Sequence, residues 1–268
     1  MKNQNKIGFL GAGRMATAIA GGMVKSVFTR ENILFYDCAP QAAEAFAQTV
    51  GGCLCNDPID MAKKCDAVLL AVKPQYLAEA LKPLSGLLEN KLIISIVAGV
   101  KVEKLAALTG AARIIRVMPN TPALIGEGCG AYAVSEACSA DDRALAQSIL
   151  DSIGEFFELP EKQLDAVTAV SGCGPAYIYE LIQAMADGGV TLGLPRDLAQ
   201  KLAAATVRGA AGMVQAGNGH PTALRDQVCS PGGATICAVN LLSAKGFNSA
   251  VVEAELAAFK RSVELGKE

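Results

Sequence analysis

Residues 229–235, Cys-Ser-Pro-Gly-Gly-Ala-Thr, form a short stretch whose composition predicts an anion-binding turn. Pro231 fixes one φ angle and lacks an N–H group, and the two glycines that follow allow a tight fold of the backbone. An apolar run with helical spacing begins at Ala234, so the unpaired amide groups of a helix start would face outward and could bind a carboxylate. Thr235 adds a hydroxyl group beside that anion. The alternative is an ordinary turn followed by a capped helix.

Histidine, the most frequent general base, is scarce in this sequence. Oxidation of an alcohol requires a group that takes the hydroxyl proton, usually His, Lys or Tyr. His220 is the only histidine, and its Gly/Asn-rich surroundings before Pro221 favour a loop residue over a catalyst. Reduction of an imine is less demanding, because the iminium already carries its proton and the protein must only hold the substrate and position the hydride donor. The turn and Thr235 therefore suit a small cyclic imino acid.

A second motif with chemical meaning lies near the N-terminus. Residues 11–16, Gly-Ala-Gly-Arg-Met-Ala, follow a short apolar strand, Ile7–Leu10, and precede a helix predicted over Thr17–Lys25. This G-x-G-x-x-A pattern, in the order strand, turn and helix, is typical of dinucleotide binding. Gly11 permits the tight turn, Gly13 lets a pyrophosphate approach the backbone, and the final alanine lets the helix pack close to the strand.

Asp37 follows the second predicted strand, Ile33–Tyr36, at the distance where an acidic residue commonly binds the ribose hydroxyls of a dinucleotide. Its charge would repel the 2′-phosphate of NADP, and the following segment, Cys38–Gln41, contains no arginine to offset that repulsion. NADH is therefore slightly favoured over NADPH. The alternative is that Asp37 only caps the loop before the next helix.

Apolar runs alternate with helical segments through the first half of the chain, which predicts an α/β Rossmann-type, doubly wound parallel sheet. Ligands bind at the carboxyl ends of such strands, where Lys73 and Asn120 could contact a nicotinamide or the substrate. Each could equally be a surface charge or a turn residue. The further strands are predicted at 67–72, 92–97, 113–118, 130–134 and 155–159, with a helix over 141–153.

Strand patterns stop after Pro160, so we predict a dinucleotide-binding domain over residues 1–160 and an all-helical domain over residues 161–268. The helical segments are apolar on more than one face, as expected where other helices cover them. We therefore expect the helical domain to form a homodimer, with the active site near the dimer interface. The predicted helices are 176–190, 195–215 and 234–245, followed by a last helix capped by Asn248 or Ser249.

Composition narrows the possible partners and compartments. The net charge is −2 and no basic block occurs, which predicts neither nucleic-acid nor membrane-surface binding. Nine cysteines occur without a CxxC pair, so we expect no metal site and no disulfide framework, and reduced thiols in the cytoplasm. The longest apolar run, Leu92–Val100, is too short to span a bilayer.

The motifs together resemble those of the pyrroline-5-carboxylate reductase family. The resemblance implies a Rossmann domain followed by a helical dimerisation domain, in dimers that often gather into a decamer. It also implies that NAD(P)H reduces the small-molecule imino acid 1-pyrroline-5-carboxylate to L-proline, the last step of proline biosynthesis. The matching segments occur in the family's order along almost the whole chain, at 11–13, 71–74, 118–122, 171–177 and 230–235.

The resemblance further implies roles for individual residues. The Ser230–Thr235 turn would bind the substrate carboxylate, and Thr235 would be the catalytic residue, hydrogen-bonded to the ring nitrogen. The substrate-binding residues would be Glu161, Ser230, Gly232, Gly233, Ala234 and Thr235. The cofactor-binding residues would be Phe9, Leu10, Gly11, Ala12, Gly13, Arg14, Asn56, Val72, Lys73 and Ala98. We add six residues from the same segments and strand ends, namely Met15, Asp37, Ala71, Pro74, Gly99 and Asn120.

Two departures from the family pattern bear on these expectations. Cys173 stands where the family usually has serine, and Tyr36–Ala39 replaces a loop that usually carries serine or arginine for the 2′-phosphate. A β-hydroxyacid dehydrogenase would have a similar layout, but Ile178 occupies the place of its catalytic lysine. A catalytically silent NAD-sensing protein is a further alternative, and it would need the dinucleotide motif without the turn at 229–235.

Overall fold

The computed structural model describes residues 4–26 and 28–266. The chain forms two compact units: Met1–Cys173 with Ala258–Glu268, which we call unit 1, and Gly174–Ala257, which we call unit 2. The segment from Glu161 onward, which we predicted to start the helical domain, packs with unit 1 through Leu164. The domain boundary after residue 160 therefore stays a prediction, distinct from the division into compact units.

Unit 1 is built on one eight-stranded sheet with the order β3-β2-β1-β4-β5-β6-β7-β8. The strands are β1 Ile7–Leu10, β2 Ile33–Tyr36, β3 Cys53–Leu54, β4 Ala67–Leu70, β5 Leu92–Ser95, β6 Ile114–Met118, β7 Gly128–Val134 and β8 Gly154–Glu158. The chain places β2 and β3 on one side of β1 and then crosses back to place β4 on the other. This reversal confirms the doubly wound, Rossmann-type arrangement. The two-residue strand β3 was not predicted.

One pairing departs from the predicted parallel sheet. The pairings among β1 to β6, and the pairing of β7 with β8, are parallel. β7 instead runs antiparallel to β6, with Ala133 opposite Arg116. The connection between them, residues 119–127, contains only the 3-10 turn Thr121–Ile125. It is too short for a parallel crossover, which takes a dozen or more residues.

Helices cover both faces of the sheet in unit 1. They are α1 Arg14–Lys25, α2 Pro40–Val50, α3 Pro58–Lys64, α4 Leu77–Leu81, α5 Val102–Thr109, α6 Ala140–Leu150 and α7 Leu164–Val167, the last continued by a π-helical turn, Thr168–Gly172. One hydrophobic cluster includes Phe9 and Phe35, and a second includes Leu70 and Ile93. The central strands are therefore buried on both faces, which explains their uninterrupted apolar sequences.

Unit 2 consists of helices with little buried surface of their own. They are α8 Gly174–Thr191, α9 Arg196–Gln215, α10 Pro221–Gln227, α11 Ala234–Ala244 and α12 Phe247–Leu265, which extends into unit 1 from Ala258. Three alanines, Ala186, Ala199 and Ala203, pack α8 against α9. Large apolar side chains remain exposed, including Ile178, Tyr179, Met185, Leu192, Leu202, Leu241 and Leu242. Exposed apolar surface of this extent is typical of an interaction surface.

The segment around His220, predicted as a loop, leads into a short helix that was not predicted. The helix, α10, begins at Pro221, and the Nδ1 atom of His220 accepts a hydrogen bond from the amide of Thr222 at 3.3 Å. His220 is thus a helix cap, and Pro221 occupies the first helical position, where its missing N–H group costs nothing.

The predicted cap of the last helix at Asn248 or Ser249 was wrong. Gly246 adopts a φ of +75°, and its amide donates to the carbonyl of Ser243 at 3.0 Å, which closes α11. The carbonyl of the same glycine accepts from the amide of Ala250 at 2.9 Å, so α12 begins at once. One glycine therefore ends one helix and starts the next.

Several negative findings apply to the described part of the chain. Within residues 4–26 and 28–266, no single helix is long and apolar enough to cross a membrane. The pair α11 and α12 meets that test only jointly, with a bend of 48°. No group of three or more His, Cys, Asp or Glu side chains in these residues could hold a metal ion. Every cysteine is a free thiol.

The thiol of Cys65 is buried between α3 and β1. A Cβ atom added at Gly8 would lie 2.9 Å from its Sγ atom, which shows how closely the helix end packs on the strand. Removal from water disfavours the thiolate, and this burial raises the pKa of Cys65 to about 11. The unfolded chain ionises this thiol at a lower pH, so between the two pKa values the folded state binds more protons.

We therefore predict that Cys65 contributes stability that is complete below its unfolded pKa and is lost as the pH rises to about 11. Between pH 8 and pH 10.5 the free energy of unfolding should fall by about 2 kcal/mol on this account. Urea unfolding at pH 8 and pH 10.5 measures it. The Cys65→Ala variant should lose less stability over this interval, whereas the exposed-thiol control Cys237→Ala should behave like the wild type. Equal losses in both variants would contradict the prediction.

Candidate active site

The predicted cofactor residues gather at the carboxyl edge of the sheet. The segments that contain them follow β1, β2, β3, β4, β5 and β6, whose parallel pairing brings their carboxyl ends to one side. The point where the strand order reverses lies between β1 and β4, and open α/β sheets bind ligands at such a point. The predicted motifs 11–16 and 71–74 follow these two strands directly.

The glycine turn after β1 depends on a close backbone approach. Gly11 has a φ of +100°, and a Cβ atom there would lie 2.8 Å from the carbonyl oxygen of Ala71. Its amide donates to the carbonyl of Tyr36 at 2.9 Å, and the amide of Ala71 donates to the carbonyl of Leu10 at 2.9 Å. The turn is therefore fixed between β2 and β4, and only glycine fits there.

Gly13 leaves open space at the start of α1. A Cβ atom added there would meet no atom within 4 Å. The carbonyl of Gly13 accepts from the amide of Thr17 at 2.9 Å, which is the first bond of the helix. The amides of residues 14–16 thus have no partner within α1, and no side chain caps them. Amides in open space at a helix start fit a pyrophosphate, so the residues present fit a dinucleotide.

The carboxylate of Asp37 braces the backbone around this turn. Its Oδ2 atom accepts from the amide of Ala12 at 2.7 Å, and its Oδ1 atom accepts from the amide of Ala39 at 2.8 Å. Asp37 is half-buried, so each oxygen also has lone pairs directed elsewhere. The structure thus gives Asp37 the loop-capping role named above as the alternative. Binding of the ribose by the same carboxylate stays a prediction.

The other predicted cofactor residues differ in how much side chain they present. Phe9 and Leu10 are buried in β1, so they could offer a ligand only backbone groups. Residues whose side chains are exposed or half-exposed at this edge are Arg14, Met15, Asn56, Val72, Lys73, Pro74 and Ala98. Their contact with a cofactor stays a prediction.

Asn120 connects two of the sequence motifs. Its side chain is buried, and its Nδ2 atom donates to the carbonyl of Ser171 at 3.0 Å. Its Oδ1 atom accepts from the amide of Cys129 at 2.9 Å. A Cβ atom added at Gly172 would lie 2.6 Å from the Cε atom of Met118. The segments 118–122 and 171–173 are thereby packed together, and a nicotinamide contact of Asn120 stays a prediction.

Glu161 is engaged by two donors. Its Oε1 atom accepts from the amide of Val102, the first residue of α5, at 2.8 Å and from Nη1 of Arg116 at 2.9 Å. The side chain of Arg116 is 8% exposed and that of Glu161 is 31% exposed. Arg116 was not predicted as a functional residue. Its charge inside the otherwise apolar strand β6 could have indicated that it needs a buried partner. Binding of substrate by Glu161 stays a prediction.

In unit 2, the Ser230–Gly233 segment forms the expected tight turn. The amide of Gly233 donates to the carbonyl of Ser230 at 3.0 Å, and Gly232 has a φ of +68°. Proline at the second place and a positive φ at the third are the signature of a type II turn. A Cβ atom at Gly233 would overlap the hydroxyl of Ser230, so this place also requires glycine.

The turn leads directly into the start of α11. The first helical bond runs from the amide of Cys237 to the carbonyl of Gly233 at 3.4 Å, so the amides of residues 234–236 have no partner within the helix. Gly233 offers no side chain to cap them. Thr235 lies in the same first turn and is exposed. Amides and a hydroxyl group are thus available together at one helix start, as the sequence predicted.

Comparison with known proteins agrees with both halves of this description. Residues 161–265 match the family model described as pyrroline-5-carboxylate reductase dimerisation, and residues 6–99 match the model described as NADP oxidoreductase coenzyme F420-dependent. The chain is 41% identical to a pyrroline-5-carboxylate reductase of Synechocystis sp., over 98% of each chain. It is 39% identical to the Escherichia coli protein of that name, over 98% of this chain and 99% of the other.

A solved structure is similar over the full length. It is the crystal structure of a Plasmodium falciparum pyrroline carboxylate reductase with NADP bound, which is 33% identical and covers 99% of this chain and 100% of its own, with a TM-score of 0.90. This chain belongs to the pyrroline-5-carboxylate reductase family. Membership confirms the resemblance and the Rossmann domain followed by a helical dimerisation domain. It argues against the β-hydroxyacid dehydrogenase alternative.

As a pyrroline-5-carboxylate reductase family member, the chain should need the open space at Gly13 for its dinucleotide. We predict that Gly13→Ala raises the Kd for NAD(P)H about tenfold or more, because a methyl group enters the space for the pyrophosphate while the fold is unaffected. Fluorescence titration of the cofactor and thermal unfolding measure the two effects.

Gly21→Ala is the matched control for this experiment. Gly21 lies in the same helix, and a Cβ atom there also meets nothing within 4 Å, but it is far from the first turn. This variant should keep the cofactor Kd and gain slightly in stability, since alanine favours a helix interior. An unchanged Kd in Gly13→Ala would show that the pyrophosphate does not approach this glycine.

Proposed function

We propose that this chain reduces the C=N bond of 1-pyrroline-5-carboxylate with NAD(P)H and releases L-proline, the last step of proline biosynthesis. The observation that carries the proposal is identity of 39–41% to pyrroline-5-carboxylate reductases over nearly the full length of both chains. The two helix starts with unpartnered amides, α1 and α11, support it. NADH and NADPH oxidation assays with 1-pyrroline-5-carboxylate test it, and no oxidation of either would contradict it.

The proposed cofactor-binding residues belong to unit 1. Bound NAD(P)H supplies the hydride. The amides at the start of α1 would bind the pyrophosphate, and Gly13 would leave room for it. The residues after β4 and β5, including Val72, Lys73 and Ala98, would hold the nicotinamide end. None of these roles requires a side chain that gains or loses a proton, which suits a reaction in which the iminium is already protonated.

Apart from Glu161, the proposed substrate-binding residues belong to the turn of unit 2. The amide of Gly233 is already bonded to Ser230, so the substrate carboxylate would use the amides of residues 234–236. The Thr235 hydroxyl would hydrogen-bond the ring nitrogen and so orient the C=N bond for hydride transfer. The exposure of Thr235 and the absence of a side-chain cap at Gly233 support this arrangement.

We predict that Thr235→Ala lowers kcat/KM for 1-pyrroline-5-carboxylate by about 100-fold, because the oriented hydrogen bond at the reacting nitrogen is lost. Thr235→Ser keeps a hydroxyl group and should recover most of the activity. Steady-state kinetics with saturating cofactor measure both variants, and the cofactor Kd should be unchanged in each. Normal kinetics in Thr235→Ala would remove this residue from the mechanism.

The preference between the two cofactors is the finer part of the proposal. The charge of Asp37 disfavours a 2′-phosphate nearby, so we propose NADH as the slightly preferred donor. The Plasmodium falciparum relative was crystallised with NADP bound, so the family includes a member that accepts the phosphate.

We predict that Asp37→Ser and Asp37→Asn raise the ratio of kcat/KM for NADPH to that for NADH about tenfold, since both remove the negative charge. Asp37→Asn keeps one oxygen that can accept from the amide of Ala12 or of Ala39. This variant therefore distinguishes the effect of the charge from the effect of the hydrogen bonds that hold the turn. A ratio equal to that of the wild type in both variants would show that Asp37 does not select the cofactor.

The helical unit supports a proposal for the oligomeric state. Membership of a dimerisation family and the exposed apolar residues of unit 2 support an oligomer. We propose a homodimer at least, and a ring of five dimers as the complete form, in the cytoplasm and without nucleic-acid or membrane partners. The net charge of −2 supports the absence of nucleic acid.

We predict that light scattering of the purified protein gives at least the mass of two chains, and the proposed ring of five dimers would give that of ten. The chain mass is 27.6 kDa, so a monomer is easily distinguished. The double variant Leu241→Glu with Leu242→Glu places charges on the exposed apolar face and should shift the mass to smaller species. An active monomer of the wild type would contradict the prediction.

A further inference from the structure

The C-terminal end of α12 packs against the loop that carries Ala98 and Gly99. Gly99 has a φ of +75°, a conformation that favours glycine. A Cβ atom at Gly99 would lie 3.5 Å from the carbonyl oxygen of Leu265, and one at Gly266 would lie 3.5 Å from the carbonyl oxygen of Gly99. The loop and the helix end are therefore neighbours, separated by a gap that a single methyl group would fill.

One buried hydrogen bond anchors this helix end. The Oγ atom of Ser262 donates to Oδ1 of Asp165 at 2.7 Å. Ser262 is buried in α12, with 9% of its surface exposed, so its hydroxyl group needs a partner. Asp165 belongs to α7, which packs on β7 through Leu164. The bond therefore joins α12 to the sheet shortly before the helix meets the loop.

The far end of the same loop has an anchor in the same segment of chain. Glu161 accepts from the amide of Val102, where the loop enters α5, and is itself held by Arg116. Glu161 and Asp165 are one helical turn apart. Residues 161–165 thus hold the loop in two ways. Glu161 accepts from Val102 at the end of the loop, and Asp165 holds α12, which lies beside Gly99.

We propose that Ser262 and Asp165 are positioning residues for the nicotinamide cofactor, acting through the end of α12 on the Ala98–Gly99 loop. The inference rests on the proposed function, because that function places Ala98 and Gly99 at the cofactor. Loss of the Ser262 hydroxyl group would leave a half-buried carboxylate without this donor and would free the last turns of α12. The loop would then lose its neighbour at Gly99, and the cofactor would meet a less ordered site.

The experiment measures cofactor binding and the protection of loop amides from hydrogen exchange, both separately from turnover. Ser262→Ala and Asp165→Ala both break the bond, Ser262→Thr keeps a hydroxyl donor, and Ser85→Ala removes an exposed serine of unit 1 as a control. Each variant is titrated with NADH and NADPH by fluorescence, and amide hydrogen exchange follows the peptides that contain residues 96–102 and 258–266.

We expect the two breaking variants to raise the Kd and the KM for NAD(P)H about three- to tenfold, which is the effect of one ordinary hydrogen bond. The KM for 1-pyrroline-5-carboxylate should change less. Exchange should accelerate in both 258–266 and 96–102 in the breaking variants, whereas Ser262→Thr and Ser85→Ala should match the wild type. Faster exchange at 258–266 with normal exchange at 96–102 and a normal cofactor Kd would overturn the proposal.

The outcomes also separate this inference from the proposed function. A wild-type protein that binds no NAD(P)H or does not reduce 1-pyrroline-5-carboxylate would remove both. If the wild-type protein binds NAD(P)H and reduces 1-pyrroline-5-carboxylate, but Ser262→Ala and Asp165→Ala leave the cofactor Kd unaltered, only the positioning role is removed. Gly13→Ala serves as the reference for lost binding, since it should raise the Kd without changing exchange at 96–102.

Discussion

The amide groups at two helix starts, those of α1 and α11, are the feature on which the proposed chemistry of this chain depends. In each case a glycine occupies the place of the capping residue, so no side chain competes for the first-turn amides. An anion is the natural partner for amides in this state, because the helix dipole also favours negative charge there. Glycine thus serves twice because it has no side chain, and the proposed phosphate and carboxylate sites both follow from that rule.

The parts that local sequence determines were predictable. The strand, glycine turn and helix at residues 7–25, and the turn at 229–235, follow from steric rules that act over a few residues. The connection at 119–127 is too short for a parallel crossover, so it could have predicted that β7 runs antiparallel to β6. That prediction would also have required knowing that β7 pairs with β6. The double use of Gly246 depends on the geometry of two helices at once, which the spacing of apolar residues does not describe.

The contacts that sequence could not predict are the long-range polar ones. Arg116 with Glu161, Asn120 with Ser171, and Ser262 with Asp165 each join residues far apart in the chain. Their side chains are common surface residues, and only burial shows that they need each other. All three pairs include a residue from 161–173, so this segment makes polar contacts with three distant parts of unit 1.

The proposed chemistry depends on backbone amides and one hydroxyl group. The only histidine caps α10, and the thiol of Cys65, whose pKa is raised to about 11, is buried between α3 and β1. The proposed mechanism assigns no side chain to remove a hydroxyl proton, a step that an alcohol dehydrogenase requires. In the proposed imine reduction, backbone amides hold the anion and one hydroxyl group orients the nitrogen. The proposed class of reaction therefore rests on the glycines and prolines of the turns and not on a charged residue.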